Sequence, residues 1–370
     1  MARALRTEEL ILNMGPQHPS THGVLRLVVT LDGENIVEVQ PDIGYLHSSV
    51  EKMMEHRNYT QCIALADRGM DYLAALINEM ALLRAVETLG GIPVPERARY
   101  IRTIFMELQR IASHLLWLGT YGIDLGATTA FLWCMREREL IMDLFESATG
   151  GRLHHVYFRI GGVNEDLPPG WTDRCREFCH YFLNRLGEYH RLLTGNPIWQ
   201  VRTQGIGVLT REQAIAYGAC GPVARASGLP WDVRKSHPYE VYDRVEFQVP
   251  VYTEGDCFAR YLVRMDEMRE SARILLQCLD QMPPGEVRTP RVSLTPKLPP
   301  GEVYTRVESP RGDLGIHLVS NGGETPWRVK IRAPSFSNLF ALTQMMKGWK
   351  VADIIAILGS IDIVLADVDR

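Results

Sequence analysis

The chain has 370 residues, 46% of them hydrophobic, with a formal net charge of −4 and 7 scattered cysteines. That composition supports a large core, in two or three domains or one elaborate one. The weak charge argues against nucleic acid as a partner, the odd cysteine count argues for reduced thiols rather than a disulfide scaffold, and no apolar run has the length of a bilayer span or the character of a signal-peptide core.

Residues 9–13 alternate weakly and read as a strand. A turn follows, Met14-Gly15-Pro16-Gln17-His18-Pro19-Ser20-Thr21-His22-Gly23, whose glycines and prolines fix the backbone and aim two imidazoles that titrate near neutral pH. Val24 to Leu31 is a strong β run, Asp32-Gly33 signals a hairpin, and Ile36-Val37-Glu38-Val39 returns, so a small antiparallel sheet is expected. From about residue 48 the pattern becomes helical: a short charged helix over 48–58, then one over 70–89 ended by Gly90-Gly91. The cleanest amphipathic helix opens after Pro93 and Pro95, with Ile101, Ile104, Phe105, Leu108, Ile111, Ala112 and Leu115 at steps of three and four, and is expected to stop at Gly119 and Gly122. Further helices are expected over 125–148, 171–193 and 257–281, and the charges Arg136 to Glu139 argue against burial of the first of these. A Gly-, Pro- and aromatic-rich region over 195–256 is too long for a free loop and is expected to wrap the helices or meet a partner. After a Pro-rich link come strands near 303–308, 314–320 and 327–332 and short helices over 335–347 and 351–358. The fold class is α+β: a central bundle of long helices over 48–282, with small antiparallel sheet domains from residues 1–47 and 283–370.

No zinc spacing of the CxxC or HExxH kind occurs, and Cys175 and Cys179, one helical turn apart, read as core thiols. There is no GxSxG elbow or P-loop, and Gly205-Ile206-Gly207 lacks the third glycine and the βαβ context of a dinucleotide fold. The remaining proton-handling candidates are His18, His22, Tyr72 and Asp124. Read singly, Tyr72 is a helix-face tyrosine, and Asp124, with Gly122 before it and a helix after it, is an N-cap.

Together the motifs say more. Gly15 to Gly23, Gly44-Tyr45-Leu46-His47, Glu51-Lys52, Met70-Asp71-Tyr72, Gly150-Gly151-Arg152-Leu153-His154-His155, Arg159-Ile160-Gly161-Gly162, Asp232-Val233-Arg234-Lys235 and the stretch from Ile331 to Arg370 resemble the D-subunit family of NADH–quinone oxidoreductase, respiratory complex I. That family is itself similar to the large subunit of [NiFe] hydrogenases, which hold their metals with an early and a late CxxC. Neither pair is present here, so nickel cannot be held in that way. The resemblance implies a quinone pocket in place of the metal cavity, shared with a neighbouring subunit that carries the terminal [4Fe–4S] cluster. It also implies a peripheral membrane protein on the cytoplasmic side of the bacterial inner membrane, in contact with the membrane subunit at the quinone entrance. By the same resemblance His22 and Tyr72 match the two donors to the quinone head group, Asp124 the carboxylate that pairs with that histidine, and Arg68 and His154 positions near the partner's cluster. One departure is Gly69, inserted between Arg68 and Met70-Asp71-Tyr72. An extra residue turns a helical position by about 100°, which would displace either Arg68 or Tyr72. The alternatives are a hydrogenase-like catalytic subunit and a scaffold with a degenerate pocket.

Overall fold

The structure is a computed structural model that describes residues 9–17, 23–290 and 292–370. The fold is α+β. Strands β1 (Glu9–Met14), β2 (Arg26–Asp32) and β3 (Asn35–Asp42) form an antiparallel sheet in the order β1-β2-β3, with Asp32 paired to Asn35 across the Gly33-Glu34 turn. Gly33 has φ 62°, the left-handed conformation that such a turn requires. Alternate residues Leu27, Val29 and Leu31 of β2 are buried, as a one-faced sheet demands.

Helices α1 (Val50–Glu55), α2 (Tyr59–Gly69), α3 (Ala75–Gly90), α4 (Glu96–Asp124), α5 (Thr128–Thr149) and α6 (Trp171–Tyr189) follow, with a two-stranded ribbon, β4 (Phe158–Arg159) and β5 (Gly162–Val163), before α6. A π-helical turn, His190–Thr194, extends α6. The region after it is neither loop nor domain: four short helices, α7 (Pro197–Thr203), α8 (Arg211–Ala216), α9 (Gly221–Ala226) and α10 (Val233–Ser236), wrap the bundle up to α11 (Cys257–Gln281). The second sheet is β6 (Gly301–Ser309), β7 (Gly312–Ser320) and β8 (Arg328–Arg332), antiparallel in that order. The remaining helices are α12 (Pro334–Met346), α13 (Ile354–Ile361) and α14 (Leu365–Asp369).

The large core joins α1 to α6, α11 and the second sheet. A second core joins the first sheet to α12 and α13, through Leu27, Val29, Ile36, Leu342, Ile357 and Leu358. The N-terminal sheet is thus sealed by residues from the far end of the chain. Gly44 and Leu46 amides donate to the Asp369 carboxylate at 2.8 and 2.7 Å. Among the described residues no helix is long and apolar enough to cross a membrane.

Four expectations need correction. Helix α2 was not expected; its capping box, Asn58 with Gln61, is the local signal for its start. Helix α3 begins at Ala75 rather than 70, because Asp71 folds the preceding residues into a turn, its carboxylate accepting from the Leu73 amide at 3.0 Å. The segment over 351–358 is a short 3-10 turn followed by α13, and α14 lies beyond it. Helix α4 runs through Gly119 and Gly122 to Asp124. Those glycines do not end the helix; they let α5 press against it. A Cβ on Gly119 would lie 3.1 Å from Phe131 Cδ2, and one on Gly122 3.1 Å from Ala130 Cβ. Gly119→Leu therefore overpacks this crossing and is expected to destabilise the chain by about 1–3 kcal/mol, read as a lower unfolding midpoint. An unchanged midpoint would refute the close-packing role.

Candidate functional site

A cavity of about 330 Å3 lies between the C-terminal half of α4, the turn after α2 and the link between α13 and α14. Tyr72 and Leu73 enter it from the turn, Leu116, Trp117, Thr120 and Asp124 from α4, and Asp362, Ile363 and Val364 from the link. The structure thus brings Tyr72 and Asp124 to one cavity. His18 and His22 lie outside the described residues. Arg68 and His154 do not line this cavity.

Asp124 is not an N-cap. It is the last residue of α4, and α5 starts at Thr128 after Ala127. Its side chain points to α13, where Gly359 leaves room: a Cβ there would lie 2.6 Å from Tyr121 Cδ2 and 3.7 Å from Asp124 Oδ2. Burial pushes the Asp124 carboxyl up to about 6, so it can gain or lose a proton near neutral pH.

Tyr72 is not on a helix face. It sits in the turn between α2 and α3 with its ring partly exposed to the cavity. The inserted Gly69 is absorbed at the end of α2, where a Cβ would lie 2.6 Å from Val50 Cγ2, so no helical rotation propagates beyond it. Burial raises the Tyr72 pKa; Asp71 and Asp362 add to the shift and Arg311 opposes it. The phenol is therefore protonated at neutral pH and available as a donor.

Behind the cavity wall stands Arg311, which sequence reasoning did not single out for a site. It occupies the two-residue tip of the β6–β7 hairpin, where Ser309 pairs with Gly312, and is fully buried. Its guanidinium donates to Asp71 Oδ2 at 2.8 Å, Ser113 Oγ at 2.7 Å, Asp362 Oδ1 at 3.0 Å and the Asp362 carbonyl at 3.1 Å. One side chain thereby ties together the residue before Tyr72, helix α4 and the α13–α14 link. The hairpin tip reaches this depth because Gly221 and Gly312 meet backbone to backbone. A Cβ on Gly221 would lie 2.4 Å from the Arg311 carbonyl oxygen. Burial pushes the Asp71 carboxyl up to about 7 against the pull of Arg311.

The signal for Asp362 was present: one carboxylate in the apolar run Ile354 to Val364. It is buried at φ 53°, a left-handed conformation uncommon outside glycine, asparagine and aspartate. A deeper set of charges was equally visible as Glu107, Arg110 and His114 in the middle of the amphipathic helix α4. In the structure His114 Nε2 meets Glu267 at 3.0 Å, Glu267 meets Arg225 at 2.6 Å, and Arg225 meets Glu308 at 2.8 Å, all fully buried. Arg234 joins Asp232 to Glu107 at 2.7 and 3.1 Å. Burial opposes the Glu267 charge, but Arg225 and His114 outweigh it and hold the carboxyl well below the usual range.

Arg68 and His154 lie elsewhere, His154 against Asp67 on α2. His154 Nδ1 lies 3.0 Å from Asp67 Oδ2, and the His155 amide donates to Asp67 Oδ1 at 3.3 Å. Arg68, the next residue, is exposed beside a second cavity of about 350 Å3 with Arg57, Gln61 and Gly69. All 7 cysteines are buried and unbridged, and among the described residues no group of three or more His, Cys, Asp or Glu is placed to hold a metal ion.

Comparison with known proteins places these features in one family. The model described as "Respiratory-chain NADH dehydrogenase, 49 Kd subunit" matches residues 124–297 and 290–370. The D subunit of the NADH-quinone oxidoreductase of Geobacillus kaustophilus is 52% identical over 365 residues, covering 99% of each chain. The H subunit of the NAD(P)H-quinone oxidoreductase of Thermosynechococcus vestitus is 51% identical over 389 residues, covering 99% of this chain and 98% of its own. The chloroplastic H subunit of Staurastrum punctulatum is 50% identical, with 99% and 98% covered. The chain therefore belongs to the family of the 49 kDa subunit of respiratory-chain NADH dehydrogenase, and is a component of an oxidoreductase complex of this type.

Proposed function

We propose that this chain builds the head-group end of the quinone pocket in a proton-pumping NADH–quinone oxidoreductase. The observation that carries the reading is that Tyr72 and Asp124, distant in sequence, line one cavity of a size to take a quinone ring. Quinone reduction needs two electrons and two protons. The electrons arrive from the terminal [4Fe–4S] cluster of a partner subunit, with Arg68 and His154 close to it. The protons come from Tyr72 and His22 at the two carbonyl oxygens. Asp124 pairs with His22 and favours its imidazolium form, and when that proton leaves, the changed charge at Asp124 drives rearrangement toward the membrane subunits. In this reading the chain sits peripherally on the cytoplasmic face of the bacterial inner membrane, beside the membrane subunit at the quinone entrance.

Tyr72→Phe removes the phenolic donor while keeping the ring. It is expected to lower quinone reductase turnover of the assembled complex roughly a hundredfold. NADH oxidation by an artificial acceptor upstream of the pocket should stay at the wild-type rate. Unchanged quinone turnover would overturn the donor role.

A further inference from the structure

The charges behind the cavity wall do not balance locally. Arg264, on α11, is fully buried, and its Nε and Nη2 have no hydrogen-bond partner among the described residues. Its other terminal nitrogen donates only to the carbonyls of Arg260 and Ser360, at 3.0 and 2.9 Å. The nearest carboxylate oxygen is Asp362 Oδ2, 3.8 Å from Nε and itself without a hydrogen bond. Asp362 already neutralises Arg311 through Oδ1. Glu267, one turn along α11, adds to the field at Arg264 but bonds to Arg225 and His114 rather than to it. Arg260 adds another buried cation bonded to Ser360 Oγ and to the carbonyls of Gly255 and Gly207 rather than to an acid. Among the described residues, three guanidiniums thus stand behind the wall against two carboxylates in contact with them, Asp71 and Asp362. Asp367 adds to the field at Arg311, but its carboxylate accepts from the Ser335 amide at 3.1 Å, and burial raises its pKa. The Arg264 guanidinium lies over the Trp117 ring, 4.3 Å from its centroid, and both Trp117 and Asp362 line the cavity.

We propose that Arg264 is a positioning residue that holds surplus positive charge behind Trp117 and draws the head group into the cavity in its anionic form. The inference rests on the quinone reading above. Each electron that reaches the ring adds one negative charge until a proton follows, so a fixed cation behind an apolar wall favours the charged stage over the neutral one. The field acts because the intervening indole is apolar and screens weakly. Burial lowers the Arg264 pKa to about 10, which leaves it cationic at neutral pH. Asp124, which also faces the cavity, does not cancel the field once it is protonated or paired with His22.

The test uses the assembled complex and two probes of one shape: a hydroxynaphthoquinone that is ionised at neutral pH, and its neutral methyl ether. The quantity read is the ratio of their dissociation constants, which a merely structural change would leave alone. Wild type is expected to prefer the ionised compound. Arg264→Gln should reduce that preference roughly tenfold, and Asp362→Asn should increase it. If Arg264→Gln alone does not assemble, the double variant Arg264→Gln, Asp362→Asn removes both charges of the buried pair, and its preference should fall below that of Asp362→Asn alone. Binding of both probes with the same ratio in wild type and in the Arg264 variants overturns this inference and leaves the quinone reading standing. Failure of both probes to bind wild type overturns the quinone reading, and this inference with it.

Discussion

Replacing Arg225 with methionine is expected to cost the folded chain about 3–5 kcal/mol. Its guanidinium is fully buried and meets Glu267 at 2.6 Å, Glu308 at 2.8 Å, Asp232 at 3.8 Å and the Trp231 carbonyl at 2.8 Å. Removing it strands carboxylates that have no water to turn to, and that penalty dominates over any packing that methionine recovers. Against a total stability of about 5–15 kcal/mol, the loss should lower the unfolding midpoint in urea steeply and reduce the amount of chain recovered from cells. Arg152 makes the contrast. It also pairs with three carboxylates, Glu139, Asp143 and Glu146, but in solvent, so its replacement should leave the midpoint nearly unchanged. Equal effects at the two positions would refute the buried-network argument.

The second large effect is expected at Arg311. Methionine there releases Asp71, Ser113 and the Asp362 segment at once, so the three walls of the cavity lose their common anchor. The phenol of Tyr72 follows Asp71 directly in the chain. A displacement of about 1 Å is enough to lower turnover by about a hundredfold. Quinone reductase activity of complexes that do assemble should therefore fall at least as far as in Tyr72→Phe, while electron transfer to an artificial acceptor upstream is spared. A variant that assembles with normal quinone turnover would show that Arg311 serves folding alone.

The regular elements were legible because each rests on a local pattern. The β2 alternation, the hairpin turn at Gly33 and the apolar stripe of α11 all have periods that the chain states directly. The glycines of α4 misled because Gly marks both a helix end and a close helix crossing, and only the neighbour, α5, decides which. Asp124 was misplaced as an N-cap for the same reason. Gly69 looked disruptive under the assumption of continuous helix, whereas it falls at the last residue of α2. Of the site, Tyr72 and Asp124 were picked out by resemblance, and the cavity they share needed the fold. Arg311, Asp362 and Arg264 were missed because their partners come from remote segments. A charge in an apolar run signals burial with a partner, but it does not say which partner. Glu137 illustrates the point: the cluster from Arg136 to Glu139 argued for exposure, yet Glu137 is fully buried and paired with its neighbour Arg136 at 2.7 Å.

The Arg311 clamp also bears on how the chain reaches its folded state. Its partner Asp71 lies 240 positions away, and Asp369 closes on Gly44 across 325 positions. Contacts of such separation form late, because the loop must close before the contact stabilises anything. A nascent chain that has emerged only as far as α11 has an unfinished wall at the Tyr72 turn, no counter-charge for Asp71, and the apolar faces of β2 and β3 uncovered. During synthesis the cavity is thus a stretch of exposed core until the last segments of the chain arrive.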